Sequence, residues 1–105
     1  MVGWHERILV LQWERIVFSG HAIRRMFQWK IGNEDVTAVL RTGATIMEYP
    51  EDKPFQSRLL LGFSGDRSIH VVAALDPATE TCHVITAYVP DSAVWQPDFR
   101  TRRFS

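Results

Sequence analysis

In "SGHAIRRMFQWK", His21, Arg24, Arg25 and Gln28 recur at i, i+3, i+4 and i+7, which places an imidazole, two guanidiniums and an amide on one face of a helix. These groups suit acid–base work on a phosphate. A neutral imidazole takes a proton, planar guanidiniums clamp an anion, and a helix N-terminus offers it free N–H groups. The same N-terminus disfavours a protonated imidazole, because it sets positive charge near positive charge. The plainer reading of His21 is a polar residue in an exposed first helical turn.

A second imidazole, His70, lies in "SIHVVAAL" between Ile69 and Val71. It reads either as a strand histidine satisfied by one neighbour or as a second proton-transfer group. Strand register decides which. If a three-residue turn pairs Phe63 with Arg67, Leu60 faces His70 and Arg58 faces Val72. If the next hairpin pairs Leu75 with Thr81, His70 faces Thr86 and Val72 faces Val84. Arg58, His70, Thr86 and Tyr88 then project from one face, whereas a one-residue slip in the first hairpin sends Arg58 to the other. The expectation is that His21, Arg25, Arg58, His70 and Tyr88 converge on one concave surface, with Arg24, Gln28 and Thr86 as substrate-binding residues.

Helices followed by strands must position such groups, and the pattern supplies both. Ser19 is a candidate N-cap, and Ile23, Met26 and Phe27 form an apolar face opposite His21. Gly32 and Asn33 break the chain before a second helix, whose buried stripe is Val36, Val39 and Leu40 and whose stop is Gly43. Beyond Gly43 the period becomes strand-like over residues 44–49, 58–63, 68–75 and 81–88. "SGDR" marks a tight hairpin and "DPATE" a second turn, and connections this short make antiparallel neighbours. The expected fold is α+β, with two N-terminal helices packed on a four-stranded twisted antiparallel sheet. Ahead of it, Ile8, Leu9, Leu11, Trp13, Ile16 and Phe18 fit a short helix followed by a strand.

The 105 residues suit a single domain with one modest core. Its parts are an N-terminal extension (1–17), a core (18–89) and a tail (90–105) that Trp95 anchors and whose arginines Arg100, Arg102 and Arg103 form a solvated end. Net charge is zero, so nothing draws the whole molecule to nucleic acid or an anionic membrane. The cations are biased in kind, however, with ten Arg against two Lys, which favours an anionic ligand or acidic partner. The one cysteine, Cys82, excludes an internal disulfide and reads as a buried, inert thiol. His5, His21, His70 and His83 form no metal-ligand pattern, and no Gly-rich phosphate loop or G-x-S-x-G is present, so neither metal nor cofactor is expected. No apolar run is long enough to span a membrane, and the expected setting is cytoplasmic.

The ordered set "SGHAIRRM", "EDVTAVLRTGATIMEYPEDKPFQSRLLLG", "HVVAAL", "ITAYVPD" and Trp95 resembles the small bacterial family of domain of unknown function 4258, from about Phe18 to Arg103. That family in turn resembles the RelE/ParE-like toxins, including the BrnT type, which are mostly metal-independent ribonucleases acting on mRNA. The resemblance implies the toxin half of a type II toxin–antitoxin pair, with an antitoxin protein and RNA, including ribosome-bound mRNA, as partners. It implies site positions at His21, Arg25, Arg58, His70, Thr86 and Tyr88. Residues 1–17 fall outside the pattern and read as an upstream start or a dimer element, so a homodimer is among the expected states.

The chemistry this implies is coherent. RNA carries its own nucleophile, the 2′-hydroxyl, and needs a base, an acid and cations on the crowded phosphorus. His21 or His70 would be the base, the other histidine or Tyr88 the acid, and Arg25 with Arg58 the clamp. The alternative is a non-catalytic module whose Arg-rich face docks an acidic protein. Binding of a small anionic ligand between helix and sheet is a third reading.

Overall fold

A computed structural model of the chain describes residues 15–102. Strand β1 is Arg15–Phe18, and Ser19 turns it into helix α1, Gly20–Trp29. The Ser19 hydroxyl accepts from the Ala22 N–H at 2.9 Å, as an N-cap does, and donates to the Ile85 carbonyl at 2.8 Å. One side chain thus starts the helix and moors it to a strand 66 residues away. Lys30 ends α1 in the left-handed region, at φ 54°. Helix α2, Asn33–Thr42, begins at Gly32, whose N–H donates to the Asp35 carboxylate at 2.8 Å.

Four more strands follow: β2 (Ala44–Tyr49), β3 (Ser57–Ser64), β4 (Arg67–Asp76) and β5 (Thr81–Tyr88). Their order across the sheet is β1-β5-β4-β3-β2. The expected four-stranded antiparallel sheet is therefore corrected to a five-stranded mixed one within the α+β class, because β1 pairs parallel with β5. A parallel pair needs a long connection, and everything between Phe18 and Thr81 serves as one. The helix expected ahead of that strand, around residues 4–14, lies outside the described residues, as does Arg103. Among the described residues no helix is long and apolar enough to cross a membrane.

Register departs from the expectation at one loop. Ser64 pairs with Arg67 around a two-residue turn, Gly65-Asp66, with Gly65 at φ 61°. A positive φ at the first turn position alone matches the strand twist as a type II′ hairpin requires. The three-residue turn that would pair Phe63 with Arg67 does not form, so Leu61 rather than Leu60 faces His70, and Arg58 faces Ala73. The next hairpin also moves by one, pairing Asp76 with Thr81, but an irregularity between Val72 and Ala73 restores the parity. His70 faces Tyr88, and Val72 faces Thr86.

The sheet buries Leu60, Ile69, Val71, Ala73, Cys82 and Val84 against Ala22 and Met26 of α1 and Val36, Val39 and Leu40 of α2. The apolar face expected for α1 is corrected here. Met26 is buried, but Ile23 and Phe27 are exposed, Phe27 at 88%. The inward residues are Ala22 and Met26, with Arg25 half-buried beside them and Trp29 exposed; small Ala22 suits close packing on β5. Arg25 is thereby drawn in to the edge of the core. Burial pushes the Cys82 thiol up to about 12, which keeps it unreactive.

Helix α2 approaches the sheet most closely at Gly62. A Cβ there would lie 2.7 Å from Val39 Cγ2 and 3.1 Å from Val39 Cα. Valine cannot swing clear, since its χ1 is stiff in a helix. Gly62→Ala is expected to destabilise the fold by about 1–3 kcal/mol, read as a lower urea midpoint; a midpoint at or above that of the native chain would refute the close approach.

Candidate functional site

Tyr88 ends β5, and the chain then turns back over the sheet as a tail held by its own aspartates. Asp91 accepts from the Ala93 N–H at 2.8 Å, and Asp98 accepts from the N–H groups of Arg100 and Thr101 at 2.9 and 3.1 Å. Trp95 drops onto the sheet and is buried. Between this tail, the end of α1 and strands β2, β3 and β5 lies a cleft of about 700 Å³. Its polar lining comes chiefly from Arg25, Tyr49, Tyr88, Asp91 and Arg102, beside the apolar surfaces of Trp29, Met47, Leu59 and Trp95.

The cations stand against aromatic rings. The Arg25 guanidinium lies 5.9 Å from the Tyr88 ring centroid, and that of Arg102 lies 5.8 Å from the centroid of Trp95. The ring quadrupole attracts the guanidinium, whose planar fork of N–H groups suits an anion. Burial holds the Tyr88 phenol above its ordinary value of 10.0; the neighbouring Tyr49 adds to the rise, while Arg102 and Arg25 oppose it. Tyr49 is raised as well, again chiefly by burial. Both phenols keep their protons near neutrality.

His70 lies beneath, with no exposed surface. Its Nε2 is 2.8 Å from the Phe99 carbonyl, which can only accept, so Nε2 carries the proton. Nδ1 then accepts from the Tyr88 hydroxyl at 3.3 Å. Trp95 meets the imidazole edge-on with ring centroids 4.6 Å apart, and Tyr88 does so at 5.3 Å. Burial lowers the affinity of His70 for a second proton below the ordinary 6.5, and the Phe99 carbonyl offsets this in part. A neutral Nε2–H tautomer results.

The expected convergence is met by some of its members. Arg25, His70 and Tyr88 come together, although His70 is buried beneath the cleft wall rather than open to it. His21 is exposed in the first turn of α1, one turn before Arg25 on the same side. Arg24 and Gln28 are exposed on that helix, and Thr86 is half-buried two residues before Tyr88. Arg58 is the correction. The unbroken β3–β4 register pairs it with Ala73, on the face opposite His70, and its Nη2 meets Glu48 Oε1 at 3.0 Å. It does not join the cleft, because the hairpin turn holds two residues rather than three.

Tyr49, Trp95 and Arg102 are among the cleft residues that the sequence pattern does not place there. Arg102 was expected on a solvated end, yet it sits over Trp95 and lines the cleft. The available signal was the pair "PD" at Pro90-Asp91 and Pro97-Asp98, which announces an ordered tail of turns. Among the described residues no three His, Cys, Asp or Glu side chains are placed to hold a metal ion.

With this geometry established, comparison with known proteins gives one match. The family model described as Domain of unknown function (DUF4258) covers residues 18–89, which include Arg25, Tyr49 and Tyr88 but stop short of the tail. No curated protein and no solved structure matches the chain.

The buried imidazole predicts a pH dependence of stability. The unfolded chain binds a proton near the ordinary 6.5, whereas folded His70 resists protonation until lower pH. Its contribution is therefore complete above about 6.5 and declines as pH falls toward the lowered folded-state value, then levels off. Urea melts of the native chain and of His70→Gln at a series of pH values from neutral downward should show this slope in the former and a flatter one in the latter. Parallel slopes would assign the acid sensitivity to another group.

Proposed function

The chain belongs to the DUF4258 family, and on that premise we propose that it acts as a metal-independent endoribonuclease, working in the cleft where Arg25, Tyr49, Tyr88 and Arg102 meet. The observation that carries this reading is the Arg25 guanidinium over the Tyr88 ring at the cleft wall. It sets a fixed cation beside a hydroxyl that can exchange a proton, which transesterification at a phosphodiester needs. Arg25 and Arg102 would hold the non-bridging oxygens, opposed by one cleft carboxylate, Asp91. The exposed Trp29 surface would receive a base, as aromatic walls do for single-stranded RNA. His21, one turn from Arg25, would contact the strand leading into the cleft.

In this reading RNA supplies the nucleophile. The 2′-hydroxyl loses its proton and its oxygen attacks phosphorus; the bond to the 5′-oxygen breaks, and that oxygen takes a proton from water. The products are a 2′,3′-cyclic phosphate and a 5′-hydroxyl. The resemblance to RelE/ParE-like toxins gives this activity a setting, the toxin half of a type II pair acting on mRNA and restrained by an antitoxin. The exposed Ile23 and Phe27 of α1, next to Arg24, favour a second reading as a module that docks an acidic protein.

Purified protein incubated with RNA in EDTA, with and without ribosomes, should leave 2′,3′-cyclic phosphate or 3′-phosphate ends, and a 2′-deoxy group at the cut position should block the cut. Arg25→Lys keeps the charge but loses the planar fork, so kcat/KM should fall by roughly tenfold or more. Cleavage that requires Mg²⁺ and leaves 3′-hydroxyl ends would overturn the mechanism. No cleavage in either condition would transfer the reading to the docking module.

A further inference from the structure

We propose that His70, although sealed from solvent, is the proton acceptor for the cleft, acting through the Tyr88 hydroxyl in a relay fixed by the Phe99 carbonyl. This rests on the reading of the cleft as an RNA-cleaving site and names the path its proton takes. Three observations carry it. The Phe99 carbonyl, 2.8 Å from Nε2, fixes the tautomer and leaves the Nδ1 lone pair as the only basic position on the ring. The Tyr88 hydroxyl is the group against that lone pair, at 3.3 Å. Tyr88 also lines the cleft, with the Arg25 guanidinium over its ring; in the relay its oxygen serves the imidazole on one side and the ligand on the other.

A hydroxyl that donates to His70 presents lone pairs, not its proton, to the cleft. Tyr88 can therefore take the 2′-hydroxyl proton while passing its own proton to His70 Nδ1. The phenol is neutral before and after the transfer, and His70 becomes an imidazolium. Its charge is stabilised by the Phe99 carbonyl, which accepts from Nε2–H. After the product leaves, the proton returns through Tyr88 to water. The titratable and charged groups facing Tyr88 are Tyr49 from β2, Arg25 from α1 and Arg102 from the tail. The two arginines favour transient negative charge on the phenol oxygen during transfer.

The relay assigns a task to the tail, which lies outside the matched family region. The Phe99 carbonyl plays the part that a carboxylate plays for a catalytic histidine elsewhere: it selects the tautomer and steadies the cation. His70 is a positioning and proton-storing residue; of the two relay members it is Tyr88 that touches substrate.

The test is a pH–rate profile for cleavage of an RNA oligonucleotide by the native chain, His70→Asn and Tyr88→Phe, with ¹⁵N NMR of the imidazole alongside. In the native chain the rate should fall on the acid side as His70 gains its proton, and NMR should report the Nε2–H tautomer at neutral pH. His70→Asn keeps a hydrogen-bond partner near Tyr88 but cannot store a proton. Its kcat should drop by about a hundred- to ten-thousand-fold, with KM little changed, and its acid limb should vanish so that the rate rises toward alkaline pH. Tyr88→Phe retains the buried ring and should lose kcat similarly, which covers the case in which His70→Asn does not fold. An Nδ1–H tautomer, a His70→Asn profile parallel to the native one, or a Tyr88→Phe chain with native kcat each overturns the relay while leaving RNA cleavage standing. No cleavage by the folded native chain overturns the reaction and the relay with it.

Discussion

A histidine with no exposed surface must have both ring nitrogens satisfied by protein, and much of this molecule is arranged around that demand at His70. Its strand neighbour, Tyr88, satisfies Nδ1. No strand satisfies Nε2; a carbonyl 29 residues further along does, so the tail must return across the sheet for the fold to close. Once Phe99 is there, Trp95 is buried against the imidazole edge and Arg102 is held over Trp95. The cleft, with the tail as one of its walls, follows from one buried polar group and its two partners.

The arginines are then divided between structure and site by what surrounds them. Arg67 spends its donors on the Trp29 and Lys30 carbonyls, at 2.7 and 3.0 Å, and lies 3.5 Å from Asp35. It thus caps the C-terminal end of α1, where carbonyls lack intrahelical partners. Asp35 also bonds the Ser64 hydroxyl and the Gly32 N–H, and these bonds hold its carboxyl below the usual range. Arg58 is ion-paired with Glu48 on the opposite sheet face. Arg25 and Arg102 lie over rings in the cleft, and a cation attracted to a ring has not committed its donors to a carboxylate. A chain with zero net charge can in this manner present a locally basic cleft.

The helices show how far pattern reading carries. Ser19, Gly32 and Asp35 act on N–H groups within three or four residues, so these caps were legible as local chemistry. The rotation of α1 was not. Ile23 and Phe27 are the larger apolar residues and point to one face, yet close approach to β5 favours the small Ala22, and the helix turns to bury it. That rotation carries Arg25 inward to Tyr88, so the same misjudged face that leaves Phe27 exposed also brings the clamp to the cleft. Arg25, His70 and Tyr88 are legible in the sequence; Tyr49 enters the site through the pairing of β2 with β3, and Trp95 and Arg102 enter it through the path of the tail.

What the sequence determined by itself is what short-range forces decide: helix starts and stops, the hairpin positions at "SGDR" and "DPATE", the strand character of residues 81–88 and the burial of Cys82. The tertiary structure decided parity and partnership. Arg58 left the site because one residue fewer in the Gly65-Asp66 turn reverses every side chain beyond it, whereas the irregularity in β5 returned Tyr88 to the face of His70. The parallel pairing of β1 with β5 and the bond from His70 to Phe99 join segments far apart in the chain, where no local propensity acts. Alternation along a strand is absolute, but its phase is set elsewhere, by turn length and by which distant group completes a buried hydrogen bond.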